Sequence, residues 1–165
     1  MCVLLHRQMI ISLNINIMKN QALAAIVVAL AFASCACTKP EKRVVEFTSM
    51  PQQAQTFINT HFADKQIAIC YQDRELFDKD YEVIFMDGSN VDFTSSGVWT
   101  EVEDRDADGV PTAIIPAAIL EYVNARHPGQ YIVEISKDRQ GYDVELNTTI
   151  ELEFNKNGQL RRYDD

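Results

Sequence analysis

The sequence predicts an α+β fold in which a helix followed by an antiparallel β-meander occurs twice, with both helices packed on one face of a shared antiparallel sheet. Three observations support this prediction. Apolar and polar residues alternate along several short segments, turn signals such as Asp87-Gly88 separate those segments, and the whole pattern recurs once along the chain.

Each predicted unit begins with a helix. In the first helix Ser49 is the expected N-cap and Pro51 lies in the first turn. Apolar residues then recur at helical spacing, namely Ala54, Phe57, Ile58 and Phe62. The second helix is expected to start at Pro116 and to end before Pro128-Gly129, because that pair does not continue a helix.

Strands follow each helix, because the segments are rich in β-branched and aromatic residues and are bounded by turn residues. The first unit is expected to have strands at 65–72, 81–86, 90–94 and 98–102. The second unit is expected to have strands at 130–137, 142–147, 150–154 and 159–163.

The two units correspond position by position: Pro51 matches Pro116, and Tyr81-Glu82-Val83 matches Tyr142-Asp143-Val144. The predicted organisation is therefore a leader at 1–35, a tether at 36–47, a first unit at 48–103, an acidic linker at 104–114 and a second unit at 115–165.

Alternation within the strands separates an apolar face from an acidic face. The apolar face contains Tyr81, Val83, Phe85, Val91, Phe93, Tyr142, Val144, Leu146, Leu152 and Phe154. The acidic face contains Glu82, Asp92, Asp143, Glu145, Glu151 and Glu153. These carboxylates could bind a basic patch on a partner protein. Alternatively, they keep a solvated face polar and discourage aggregation.

The N-terminal segment is typical of a secretory signal. Lys19 precedes an apolar run at 22–33 that is shorter than the ~20 residues needed to span a bilayer. Ala33-Ser34 before Cys35 resembles a bacterial lipobox, in which Cys35 would be lipidated and become the mature N-terminus. The alternative is ordinary cleavage near Ala36. A complete signal begins at Met18, so the start codon at Met1 is expected to be assigned too far upstream.

The charge balance restricts the possible partners. The chain has a net charge of −9 and its leader carries no acidic residue, so the body repels nucleic acid and anionic membrane surfaces. We therefore expect a protein partner that is not yet known, no nucleic acid, and membrane contact through the N-terminal lipid anchor only.

The stretch "DRDADG" begins like a calcium-binding loop. Asp104, Asp106 and Asp108 occupy the first, third and fifth positions, and Gly109 supplies the sharp turn. The twelfth position, where such a loop needs a bidentate Glu, is Ile115. Two interpretations follow, a calcium site of looser geometry or a solvated linker that acts as a hinge. No cofactor other than calcium is indicated.

Catalytic motifs are missing from the sequence. The body holds two histidines, His61 and His127, and a single cysteine, Cys70. Neither a nucleophile elbow nor a phosphate-binding Gly-rich loop is present. The sequence therefore predicts that the protein is not an enzyme.

The doubled pattern of a Pro-initiated helix, an Asp-Arg turn, "YEV" or "YDV" and a Phe-to-Gly turn resembles the β-lactamase-inhibitor-like, PepSY-like family of secreted bacterial proteins. The segment 80–102, "DYEVIFMDGSNVDFTSSGVWTEV", carries most of the resemblance. The resemblance implies a fold similar to the tandem-repeat β-lactamase inhibitors and a non-catalytic role. Together with the lipobox-like Cys35, it leads us to expect a lipoprotein of the cell envelope, anchored at the outer membrane or the periplasmic face. Such a protein would bind, and inhibit or regulate, a secreted or envelope enzyme. The alternative is a structural or calcium-responsive surface lipoprotein.

Overall fold

The computed structural model describes residues 42–75 and 78–164. The predicted leader at 1–35, the predicted lipidation site Cys35 and both candidate start residues, Met1 and Met18, lie outside the described residues. The first part of the predicted tether also lies outside them.

The described chain forms one sheet of nine strands, with each strand antiparallel to its neighbours and the strands following one another in chain order. The strands are β1 (Arg43–Val45), β2 (Ile67–Glu75), β3 (Asp78–Phe85), β4 (Asn90–Phe93), β5 (Trp99–Glu103), β6 (Ile132–Lys137), β7 (Gly141–Leu146), β8 (Glu151–Asn155) and β9 (Leu160–Asp164). The helices are α1 (Gln52–His61), which follows a short 3-10 turn at Phe47–Ser49, and α2 (Ala117–Arg126).

The predicted fold class, an α+β fold of repeated helix-plus-meander units, is wrong. The described chain is mostly sheet and has two helices of ten residues each. Within the sheet β5 pairs directly with β6, with Val102 opposite Ile135, so hydrogen bonding joins the two predicted units. One strand lies outside the prediction. β1, which pairs with β2, comes from the segment predicted to be a tether.

The start of the first helix also differs from the prediction. Ser49 is not the N-cap, because it ends the 3-10 turn and its hydroxyl donates to the carbonyl of Glu46 at 2.7 Å. The N-cap is Pro51, whose extended backbone precedes Gln52 and whose carbonyl accepts from the Gln55 amide at 3.1 Å. A cap residue needs extended dihedrals, and the fixed φ of proline is compatible with them.

The hydrophobic core lies between the helices and the apolar face of the sheet. Ala54 and Ile58 of α1, and Ile119 and Val123 of α2, belong to the same buried cluster as the strand residues. Of the residues predicted on the apolar face, Tyr81 and Tyr142 are half-buried and the others are buried. The period-two alternation is therefore confirmed. Neither α1 nor α2 is long and apolar enough to cross a membrane.

The segment predicted to be a solvated linker is largely packed against the protein. Asp104 is 3% exposed, and Val110, Ile114 and Ile115 are part of the core. Its backbone is also paired, because the amides of Asp104 and Val110 donate to carbonyls of β6 residues at 2.8 Å. The interpretation of this whole segment as a solvated hinge is therefore wrong, although residues 105–108 are exposed.

Candidate functional site

Carboxylates cover the face of the sheet that the helices leave open. They lie in two rows that cross the strands, because residues opposite each other in an antiparallel sheet point to the same side. We call this surface the acidic face, and it consists of Glu82, Asp92, Glu101, Glu103, Glu134, Asp143, Glu145, Glu151 and Glu153. All six carboxylates predicted from sequence lie on it.

Many of these carboxylates face another carboxylate across the strand boundary. The directly opposed pairs are Glu82–Asp92, Asp92–Glu101, Glu103–Glu134, Glu134–Glu145, Glu145–Glu151 and Asp143–Glu153. Like charges in this arrangement destabilise a sheet. The repulsion and partial burial raise the pKa values of Glu101 and Glu134, with desolvation as the larger cause in both.

Four basic side chains partly neutralise the acidic face. Lys42 pairs with Glu82 at one end, and Arg161 and Arg162 pair with Glu153 at the other. Between them the guanidinium of Arg105 pairs with Glu103 and donates to both carboxylate oxygens of Glu145, at 3.4 and 3.3 Å. The acidic face has nine carboxylates and these four cations, so negative charge remains in excess.

The acidic face deepens into a cavity of about 660 Å³ on the β1–β5 side. Its walls include Lys42, Tyr71, Asp73, Asp80, Glu82 and Asp92. One oxygen of Asp73 and one of Asp92 are buried and accept no hydrogen bond from the described residues. Such oxygens are uncommon in folded proteins, because losing water without gaining a donor costs free energy.

Asp92 is the most strongly perturbed acid on the face. Desolvation, followed by repulsion from Glu82 and Glu101 on the flanking strands, raises its pKa to about 7. Asp80 raises the pKa further and Lys42 lowers it. The Asp92 carboxyl is therefore partly protonated near neutral pH, and a cation placed beside it would favour the charged form.

A second cluster contains two of the three predicted calcium ligands. The ammonium of Lys65 donates to Asp87 at 2.5 Å, to Asp106 at 2.7 Å, and to Asp104 and Ser89 at 3.0 Å each. We call the group formed by Lys65, Asp87, Ser89, Asp104 and Asp106 the aspartate cage. Burial alone would lower the pKa of Lys65, but its hydrogen bonds to the three aspartates outweigh burial and raise it.

The cage does not fit a resident calcium ion. The Lys65 ammonium already occupies the space between the three carboxylates, and an ammonium cannot be a metal ligand while it is charged. The third predicted ligand, Asp108, is exposed and is not among the acceptors of the Lys65 ammonium. With Lys65 between the three aspartates, no group of three or more His, Cys, Asp or Glu side chains within 42–75 and 78–164 has the arrangement of a metal site.

Sequence reasoning missed Glu101, Glu103 and Glu134, although the signal was present. Glu101 and Glu103 flank the buried Val102, and Glu134 precedes the buried Ile135, so the same alternation placed all three on the open face. Lys65 was also missed, and no sequence signal pointed to it, because its partners come from distant parts of the chain.

The acidic face has no imidazole among the described residues. His61 lies at the end of α1 with its ring centroid 4.7 Å from that of Phe57, and His127 follows α2 beside Tyr163. The described part of the face therefore offers charge and hydrogen-bond acceptors, without a histidine for acid-base exchange.

Solved structures with the same fold are found in Bacteroides. One, from Bacteroides thetaiotaomicron, is described as a putative calcium-regulated periplasmic protein; it is 38% identical, covers 75% of this chain and 97% of its own, and has a TM-score of 0.72. Another, a putative periplasmic protein from Bacteroides vulgatus, is 34% identical, covers 76% of this chain and 98% of its own, and has a TM-score of 0.72. A third, a putative periplasmic protein of unknown function from the same species, is 30% identical, covers 76% of this chain and 100% of its own, and has a TM-score of 0.71.

These relatives are described as periplasmic proteins, which supports an envelope or periplasmic location for this chain. Neither they nor the family indicates a catalytic activity. No curated protein matches the chain. The family model that matches residues 79–162 carries the description "Putative beta-lactamase-inhibitor-like, PepSY-like". With half of its length matched by this model, the chain belongs to the PepSY-like, beta-lactamase-inhibitor-like family.

Proposed function

We propose that this protein is a non-catalytic envelope module whose acidic face binds a basic surface of a partner protein. The observation that carries the proposal is the set of directly opposed carboxylate pairs across the sheet. A basic partner would relieve their repulsion, and complementary potentials would accelerate the encounter.

A polar face that serves only solubility does not account for these pairs. Alternating acidic and basic residues would solvate the sheet equally well, and each opposite-charge pair would stabilise it by roughly 0.2–1 kcal/mol. The chain instead places Glu145 between Glu134 and Glu151 on neighbouring strands. A face that gives up this stabilisation is better explained by binding than by solubility.

The cavity around Asp92 is the proposed centre of the contact. The unpartnered oxygens of Asp73 and Asp92 are acceptors, and a lysine or arginine side chain of the partner supplies donors and opposite charge together. Charged pairs that lose water at the middle of an interface contribute more than exposed pairs at the rim.

Family membership supports the kind of partner. We propose that the partner is a secreted or envelope enzyme, inhibited or regulated when the acidic face covers its basic surface. Lipidation at Cys35 would hold the module at the membrane, so that binding takes place at the envelope. A purely structural surface lipoprotein is the competing function, and it needs no partner at the acidic face.

The test uses the full chain, expressed with its leader and cross-linked in intact bacterial cells. Partners that co-purify with the wild type are compared with those of a Glu145→Lys, Glu151→Lys variant. The matched control is Glu121→Lys, because Glu121 is exposed on α2, on the other side of the sheet. Circular dichroism of each purified variant verifies folding.

We expect one basic protein to be captured by the wild type and the control, and at least about tenfold less by the double variant. Its capture should also weaken as salt is raised. Capture that survives the charge reversal unchanged would show that the acidic face is not the binding site. Capture of no basic protein by the wild type would favour the structural lipoprotein.

A further inference from the structure

The aspartate cage is built from three separate segments of the chain. Lys65 lies between α1 and β2, Asp87 and Ser89 lie in the turn between β3 and β4, and Asp104 and Asp106 follow β5. The four oxygens around the Lys65 nitrogen are 2.5 to 3.0 Å away. One ammonium therefore joins the loop of the predicted calcium site to two other parts of the fold.

Burial makes this ammonium necessary. The side chain of Asp104 is 4% exposed and that of Lys65 is 12% exposed. A buried carboxylate is costly unless an opposite charge or several donors stabilise it. Ser89 also donates to Asp104 at 3.2 Å, but a neutral hydroxyl does not balance the charge. Without Lys65, three carboxylates would converge around a space that contains no positive charge.

The strength of the pairing is evident from Asp87. Burial alone would raise the pKa of Asp87, but the hydrogen bond from Lys65 and the backbone amide of Ser89 lower it to about 2. Lys65 and Asp87 are therefore both charged at neutral pH. A calcium ion that entered the cage would have to displace the ammonium, and the displaced ammonium would then repel the ion at close range.

We propose that Lys65 is the permanent internal cation of this chain, that it takes the position a calcium ion would occupy among Asp87, Asp104 and Asp106, and that removing its charge creates a calcium site. This inference is independent of the proposed binding by the acidic face. It implies that the wild-type cage does not respond to calcium, whatever regulates its relatives. Calcium accepts six to eight oxygen ligands, and three carboxylates, a hydroxyl and water can supply them.

The test measures thermal unfolding of the full chain in EDTA and in about 10 mM CaCl2, a concentration above the Kd range of weak extracellular calcium modules. The variants are Lys65→Met, which keeps the apolar stem, and Lys65→Gln, which adds a neutral oxygen. The matched control is Lys137→Met, because the Lys137 ammonium lies 3.6 Å from the ring centroid of Trp99, with the indole and not the cage as its partner.

We expect calcium to leave the Tm of the wild type unchanged from its value in EDTA, and the same holds for Lys137→Met. Both Lys65 variants should melt several degrees lower than the wild type in EDTA, and calcium should restore most of the loss. Calorimetric titration should find one calcium ion per chain in a Lys65 variant, and adding Asp104→Asn should abolish its binding.

Two results would overturn the proposal. The first is stoichiometric calcium binding by the wild type that Asp104→Asn removes, because the cage would then accept the ion despite Lys65. The second is that calcium raises the Tm of neither Lys65 variant. For a variant that is unfolded in EDTA, the equivalent result is that calcium does not refold it. Titration of the wild type needs no variant, and circular dichroism of Asp104→Asn verifies that a loss of calcium binding in that variant is not a loss of folding.

Discussion

Replacing Asp92 by Asn should make the protein more stable at alkaline pH and change its stability little at acidic pH. The ordinary pKa of this carboxyl is 3.8, and burial together with Glu82 and Glu101 raises it to about 7. At about 1.36 kcal/mol per pKa unit, this rise sets a ceiling of roughly 4 kcal/mol. Because Asp92 is only half-buried, solvent screens part of the repulsion, and we expect about 1–2 kcal/mol.

The sign follows from proton binding. Between about pH 4 and about pH 7, the folded state keeps a proton on Asp92 that the unfolded state has lost, so stability falls as pH rises. Above about pH 7 both states have lost it and the full penalty remains. The amide that replaces the carboxyl does not titrate, so the stability advantage of Asp92→Asn should grow from near zero at about pH 4 to a plateau above about pH 7.

Urea unfolding followed by circular dichroism, repeated across this pH range, measures the difference between the variant and the wild type. Titrating groups that do not interact with Asp92 cancel in that difference. Glu121→Gln is the control, because it removes one carboxylate from the exposed surface of α2. Parallel stability curves for Asp92→Asn and the wild type, or an advantage that shrinks as pH rises, would refute the reasoning.

Two further predictions concern the sheet and the core. In Gly141→Ala the new Cβ would lie 1.8 Å from the carbonyl oxygen of Phe154, so we expect a loss of about 3 kcal/mol or more in urea unfolding. Gly129→Ala, at φ +81° with open space around it, should cost only about 1–2 kcal/mol, and equal losses would contradict the clash. Phe93→Ala empties a fully buried site and should cost about 3–5 kcal/mol. Met86→Ala, at a residue 66% exposed, should change stability by less than about 0.5 kcal/mol, and a similar loss in both would argue against the assigned core.

Strand positions could be predicted well because their determinants are local. Alternation in β3, β4, β7 and β8 identified the buried residues, and the Asp87-Gly88 turn lies between β3 and β4 as expected. β1 was missed because three residues, Arg43–Val45, carry too little pattern to distinguish a strand from an exposed tether. Its pairing with β2 depends on a partner that is distant in the chain.

The acidic face was only partly predictable. Period-two alternation placed Glu82 and Glu153 on the open side, but it does not say which residues oppose each other, since register depends on how strands pair. The repulsion around Asp92 and its unpartnered oxygen follow from that register. Spacing along the chain also grouped Asp108 with Asp104 and Asp106. In the structure Lys65 pairs with Asp104 and Asp106, and Asp108 is exposed. Spacing carries no information about this long-range contact.

By itself, the sequence determined the alternating strands, the apolar and acidic sides of the sheet, the acidic net charge and the resemblance to the family. These properties depend on residue type and on spacing within a few positions, which the chain specifies directly. Only the tertiary structure decided that β1 adds a ninth strand beside β2 and that Lys65 lies among three aspartates. Both depend on long-range contacts, because hydrogen-bond partners and counter-ions are chosen by proximity in space and not by distance along the chain.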